Sequence, residues 1–142
     1  MFDLNHLHPM VVHFPVALIV VGFLFELFDL FYKKENSFSK TGLYLMVLGT
    51  LGAVAAYLTG EFFTSDLTGS AGEVEEIHEF FALITMITMI IATLFRVYLI
   101  MKKKEKTNLK WVFFSLYALG ALMVGITGFF GGSLVFNYLI GL

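Results

Sequence analysis

Residues 77–110 read IHEFFALITMITMIIATLFRVYLIM followed by KKKEKTNLK. The first part carries only two formally charged residues, Glu79 and Arg96, and then five lysines arrive within nine positions. A helix crossing about 30 Å of hydrocarbon needs about 20 largely apolar residues. Residues 77–101 meet that need, and the lysine run marks where the chain returns to water.

Working outward, three further segments have the same character: residues 10–32, 43–63 and 111–130. The links between them, KKENSFSKTG, TSDLTGSAGEVEE and KKKEKTNLK, are short and polar. Short links between long helices predict an all-α, integral membrane, up-down-up-down four-helix bundle, built as a single domain over residues 1–142. Composition agrees. Mean hydropathy is +0.86, with 58% hydrophobic and 14% charged residues, too little polar surface for a water-soluble domain. The net charge of −2 argues against nucleic acid as a partner. The absence of Cys excludes disulfides, thiolate metal sites and covalently attached c-type haem. The start, MFDLNHLHPM, has no basic n-region, so the first span is expected to stay in the mature protein.

All nine Lys and Arg residues fall in or beside the first and third links. The positive-inside rule makes that side cytoplasmic, which predicts a bacterial cytoplasmic-membrane protein with both termini and all four histidines on the outer side. Ser70-Ala71-Gly72-Glu73 reads as a capping box opening the third helix. Residues 131–142, GGSLVFNYLIGL, are too few to span again and predict a Gly-hinged tail at the outer face.

The halves resemble each other. His13-Phe-Pro-Val-Ala-Leu-Ile19 aligns with His78-Glu-Phe-Phe-Ala-Leu-Ile84, and the stretch from Gly52 to Phe63 with that from Gly120 to Phe130, sharing Thr-Gly before the final aromatics. This predicts a parallel two-fold repeat about an axis along the membrane normal. His13 and His78 then sit at one depth on diagonal helices. The His13 stripe continues through Ala17, Val20 and Leu24, and the His78 stripe through Ala82, Thr85, Met89 and Ala92.

Two facing imidazoles point first to b-type haem with His13 and His78 as axial ligands. Gly60, Gly128, Ala17 and Ala82 would make room for the macrocycle, with Phe14, Phe80 and Phe81 packed on it. No Lys or Arg stands at that end to meet propionates, which would turn to water, His6, His8, Thr59 or Thr127. Such a protein would relay electrons near the outer face, with an outer-face redox protein as partner. The second reading is a Zn, Cu or Fe site from His8, His13 and His78 with Glu61 or Glu79. It requires His8 to sit before the regular helix, as His8-Pro9 permits. The third is a structural or assembly subunit, in which interfacial His and small residues serve only packing.

Glu26, Asp29 and Arg96 lie toward the other end. Arg96 falls on the His78 stripe and is expected to pair with Glu26 or Asp29 across helices. Tyr57 and Tyr138 have no evident base, and no nucleophile–base constellation or phosphate loop occurs, so electron transfer is favoured over catalysis.

His8-Pro9, Val12-His13-Phe14-Pro15, Leu58-Thr59-Gly60, His78 and Gly131-Gly132-Ser133-Leu134-Val135 together resemble the small bacterial membrane proteins catalogued as domain of unknown function 2231. The resemblance covers nearly the whole chain and implies a four-helix membrane domain. Relatives fused to Rieske-type iron–sulfur or cytochrome c-like domains imply redox work. The family tail commonly carries a His where this chain has Tyr138.

Overall fold

A computed structural model describes residues 7–32 and 37–138. His6 lies outside them. The elements are α1 (Leu7–Val11), α2 (His13–Phe31), α3 (Ser37–Phe63), α4 (Ser70–Met101) and α5 (Leu109–Tyr138). Four spans long and apolar enough to cross a membrane result, Leu7–Phe31 forming the first. The interruption at Val12 has a local cause. Pro15 has no N–H for the Val11 carbonyl, and its ring crowds that carbonyl. Val12 still keeps helical dihedrals (φ −61°, ψ −24°) and its N–H bonds to His8 O at 3.1 Å, so the span continues.

The helices form a ring in which neighbours pack and diagonals hardly meet. The hairpins α2–α3 and α4–α5 make the extensive interfaces, and α3–α4 and α2–α5 close the ring more lightly. Large apolar side chains such as Phe31, Phe62, Phe129 and Phe136 point outward, while the interior holds Ile19, Met46, Met89, Leu99, Phe113 and Tyr117. Outward bulk of this kind suits lipid rather than water. Thr50 Oγ1 and Thr93 Oγ1 hydrogen-bond at 2.8 Å and tie the two hairpins together.

The internal repeat is present, in a register other than the one the sequence match suggested. On α2 the buried positions are Pro15, Ile19, Gly22 and Glu26; on α4, Thr85, Met89, Ala92 and Arg96 each lie 70 residues further on. On α3 they include Gly42, Met46, Gly49 and Ala53, answered on α5 by Phe113, Tyr117, Gly120 and Val124, each 71 further on. The alternating steps of four and three residues on α2 and α4 are those of a coiled-coil-like seam.

Equivalent positions do equivalent work. Ile19 sits in the notch of Gly49, where an added Cβ would lie 2.8 Å from Ile19 Cγ1 and 3.1 Å from its backbone N. Met89 fills the notch of Gly120 in the same way. The cost of filling each notch differs with what can move. Gly49→Ala presses on backbone and is expected to destabilise by about 1–3 kcal/mol. Gly120→Ala meets only a flexible thioether and should cost less than Gly49→Ala. Thermal unfolding of both variants in detergent checks the order.

Two local expectations are corrected. Gly69 (φ +68°), not Ser70, is the N-cap of α4, and no side chain caps it; the left-handed φ favours Gly. The capping box is therefore not formed, and Glu75 Oε2 instead accepts the Leu67 N–H at 2.7 Å. Nor do Gly131 and Gly132 hinge a tail, since α5 runs unbroken to Tyr138. The reason for Gly131 lies in its neighbour, His78.

Candidate functional site

The structure brings His8 and His78 together. Their ring centroids are 6.2 Å apart and the planes cross at 79°. Each ring is anchored on the second helix of its own hairpin. His8 Nδ1 donates to Ala56 O at 3.0 Å, with Thr59 Oγ1 at 3.2 Å. Thr59 Oγ1 in turn donates to Ala56 O at 2.9 Å. His78 Nδ1 donates to Thr127 O at 3.0 Å.

Each ring also lies on a glycine four residues beyond that carbonyl. A Cβ on Gly60 would stand 3.0 Å from His8 Cε1, and one on Gly131 would stand 2.9 Å from His78 Cε1. His8, Ala56 and Gly60 thus repeat as His78, Thr127 and Gly131, in the same register as the rest of the bundle. The notch at Gly131 makes a sharp comparison with its neighbour. Gly131→Ala must push the His78 ring off its carbonyl and is expected to destabilise by about 1–3 kcal/mol. Gly132→Ala has nothing within 4 Å and should be neutral, or stabilising by about 1 kcal/mol through helix propensity. Denaturant titration in micelles separates the two.

The two nitrogens of an imidazole point to nearly opposite sides of the ring. Fixing Nδ1–H on a carbonyl sets the tautomer and leaves the lone pair on Nε2, which lies 3.6 Å from the Cβ position of Gly60 for His8 and 3.8 Å from that of Gly131 for His78. The described residues offer neither Nε2 a hydrogen-bond partner. Metal-binding histidines are commonly held by this kind of hydrogen bond from the second nitrogen.

His13 does not join the pair. It is exposed, as is Ala17 on the same stripe. Five residues turn an α-helix by roughly 140° beyond one full revolution, so with His8 on the inner seam His13 must face outward. His8, His13 and His78 therefore do not converge as a ligand set, and among the described residues no group of three or more His, Asp or Glu side chains is placed to hold a metal ion. Gly60 serves the His8 ring, whereas Gly128 faces Val16 at ordinary contact distance. Ala82 is half-buried. Phe14 and Phe80 are exposed, and Phe81 stacks on Phe130 with centroids 6.2 Å apart.

The signal for His8 was available in the spacing. His8 stands seven residues before Pro15 and His78 seven before Thr85, so both continue the seams that define the interior.

At the opposite end the expected ion pair forms. Arg96 Nη2 lies 3.7 Å from Glu26 Oε1 and 3.5 Å from Glu105 Oε1. It also donates to Ser39 Oγ, and the guanidinium carbon sits 4.9 Å above the Phe113 ring. Glu26 and Arg96 occupy equivalent positions of the repeat, so the two halves meet here through opposite charges.

A membrane-spanning four-helix bundle with two half-buried histidines at one end and a buried ion pair at the other is the class that fold and site define. Residues 5–142 match the family described as predicted membrane protein (DUF2231), and the chain belongs to that family. No curated protein and no solved structure matches it.

Proposed function

We propose that His8 and His78 are the axial ligands of a b-type haem, and that the protein relays electrons near the outer face of the bacterial cytoplasmic membrane. The observation that carries this reading is the spacing of the two anchored rings. Two imidazoles bonded through Nε2 to one metal at about 2.0–2.1 Å have centroids roughly 6.3 Å apart when collinear, and roughly 5 Å apart at a tetrahedral angle. The observed 6.2 Å lies within that range, which is the support for both rings reaching one metal; it is also the spacing of an edge-to-face ring contact. A haem would bring its own four nitrogen donors, so His8 and His78 would be enough to hold it. A lone zinc ion needs about four ligands, and the described residues gather only these two histidines.

Bound there, haem supplies a reversible one-electron couple. The chain's own part is to hold both rings: Ala56 O, Thr59 and Thr127 O fix their tautomers and raise the basicity of Nε2, and Gly60 and Gly131 fix their depth. The basic links, counted by the positive-inside rule, put the histidine end outside, within reach of an outer-face redox protein.

A structural role is the competing reading, favoured by the close fit of both rings to their glycine notches. Visible spectra of detergent-purified protein, oxidised and dithionite-reduced, separate them. A Soret band with sharp reduced α and β bands is expected after expression with ample haem. Protein that folds, carries no Soret band and takes up no added hemin overturns the haem reading. Stoichiometric Zn, Cu or Fe without haem, by elemental analysis, would replace it with a simple metal site.

A further inference from the structure

The end of the bundle away from the histidines holds three polar groups that packing does not satisfy. Glu26 Oε1, Arg96 Nε and the Tyr117 hydroxyl are buried without a hydrogen-bond partner among the described residues. Their residues are 6%, 5% and 0% exposed. Leaving a buried donor or acceptor unpaired costs about 1–3 kcal/mol each, so three in one place call for a ligand.

The groups converge. Tyr117 points its hydroxyl at the backbone of Gly22, so closely that no side chain could stand there, and Glu26 follows Gly22 by one turn on the same face. Across from Glu26, Gly42 admits the Glu26 carboxylate where a Cβ would crowd it at 3.1 Å. Each glycine thus makes room for one of these side chains, Gly22 for the Tyr117 hydroxyl and Gly42 for the Glu26 carboxylate. Their chemistry is complementary to one small molecule: Arg96 Nε–H is a donor, Glu26 Oε1 an acceptor, and Tyr117 O–H either. Water has the matching set, and a buried water is stable with 2–4 polar partners.

We infer that Glu26, Arg96 and Tyr117 enclose a buried water site through which Glu26 exchanges a proton with the aqueous phase at the basic end. The charged groups acting on Glu26 are Arg96 from α4, Asp29 from α2 and Glu105 from the link after α4; α3 presents Ser39 and Gly42, and α5 presents Tyr117. Glu105 is 42% exposed while lying 3.5 Å from Arg96, which places the cluster one residue from solvent. With Glu26 and Glu105 ionised and Arg96 charged, the three groups sum to one negative charge. In proton uptake an aqueous proton passes to the bridging water, whose own proton forms the new O–H bond at Glu26 Oε1. Arg96 keeps its charge and the three groups become neutral. The reverse step returns the proton to bulk water. The inference is independent of the haem reading.

Infrared difference spectra of the full-length protein between acid and alkaline pH provide the test, with Glu26→Gln as the subtraction. A protonated-carboxyl band that belongs to wild type, is missing from Glu26→Gln and moves down in D2O is the expected result. Tyr117→Phe, which keeps the ion pair, should retain the band at a shifted frequency, and it carries the test if Glu26→Gln fails to fold. Absence of any Glu26-dependent carboxyl band overturns the proposal. So does a band that ignores D2O, which means a sealed carboxyl, or one whose frequency is unchanged in Tyr117→Phe.

Discussion

His8→Ala and His78→Ala, each alone, are expected to abolish the six-coordinate low-spin spectrum of the haem-loaded protein, while His13→Ala leaves it intact. The effect is all-or-none because a low-spin b-type centre needs both axial nitrogens. Among the described residues no group of three or more His, Cys, Asp or Glu side chains offers the iron another site. A shift to a five-coordinate high-spin spectrum, or loss of the haem on dilution, is the expected readout. The fold should survive. Each substitution removes a hydrogen bond to a helix carbonyl, worth about 1 kcal/mol, and opens space beside Gly60 or Gly131 at the end of the bundle, away from the Ile19–Met89 interior. Circular dichroism of the apoproteins checks that separately. Equal loss in His13→Ala and His8→Ala would sink the assignment of the pair, because His13 faces outward.

That prediction rests on a register the sequence match read wrongly, and the reason is physical. Ala-Leu-Ile beside His13 and beside His78 is a true match of letters. The two triplets nevertheless sit differently in the bundle: Ile19 is buried in the interior whereas Ile84 is only half-buried, so matching letters do not mark matching positions. What the two halves share is complementarity: Ile19 with Gly49 answers Met89 with Gly120, and His8 with Gly60 answers His78 with Gly131. None of those correspondences but the histidines and glycines survives as identity. The two-fold was therefore legible, its register was not, and an offset of five residues on the first helix exchanged an inward histidine for an outward one. The seven-residue step from His8 to Pro15 was the better guide.

Spans and charges were easier to read, because they depend on composition rather than on partners. Four apolar segments became four spanning helices, and Arg96 found Glu26 since a buried guanidinium in hydrocarbon has few alternatives. The ends of the helices were misjudged. Gly131-Gly132 looks like a hinge when read locally, and only the His78 ring lying against α5 explains why a glycine belongs inside a helix there. Ser70 lost the N-cap to Gly69 for a similar reason. The link before α4 folds back on its first turn, so that a Cβ at Gly72 would meet Leu67 O at 2.7 Å, and the left-handed turn at Gly69 is what permits this.

The largest stability effect is expected from Arg96→Met. It leaves Glu26, 6% exposed, as a buried carboxylate without its counter-charge, and breaking a buried pair from one side costs about 3–5 kcal/mol. Glu26→Gln should cost less. Arg96 keeps Glu105 and Ser39 as partners and its place over Phe113, so its charge is not stranded. The double variant Glu26→Gln with Arg96→Met removes both charges at once and is expected to be more stable than Arg96→Met alone, with a coupling of at least about 1 kcal/mol in a double-mutant cycle. The penalty in Arg96→Met should also shrink on acidification, because a protonated Glu26 needs no counter-charge. Unfolding midpoints of the four proteins in one detergent, at two pH values, measure all of this. If the two single effects simply add, at both pH values, then Glu26 and Arg96 do not act as a pair and the charge complementarity of the two halves contributes nothing to holding them together.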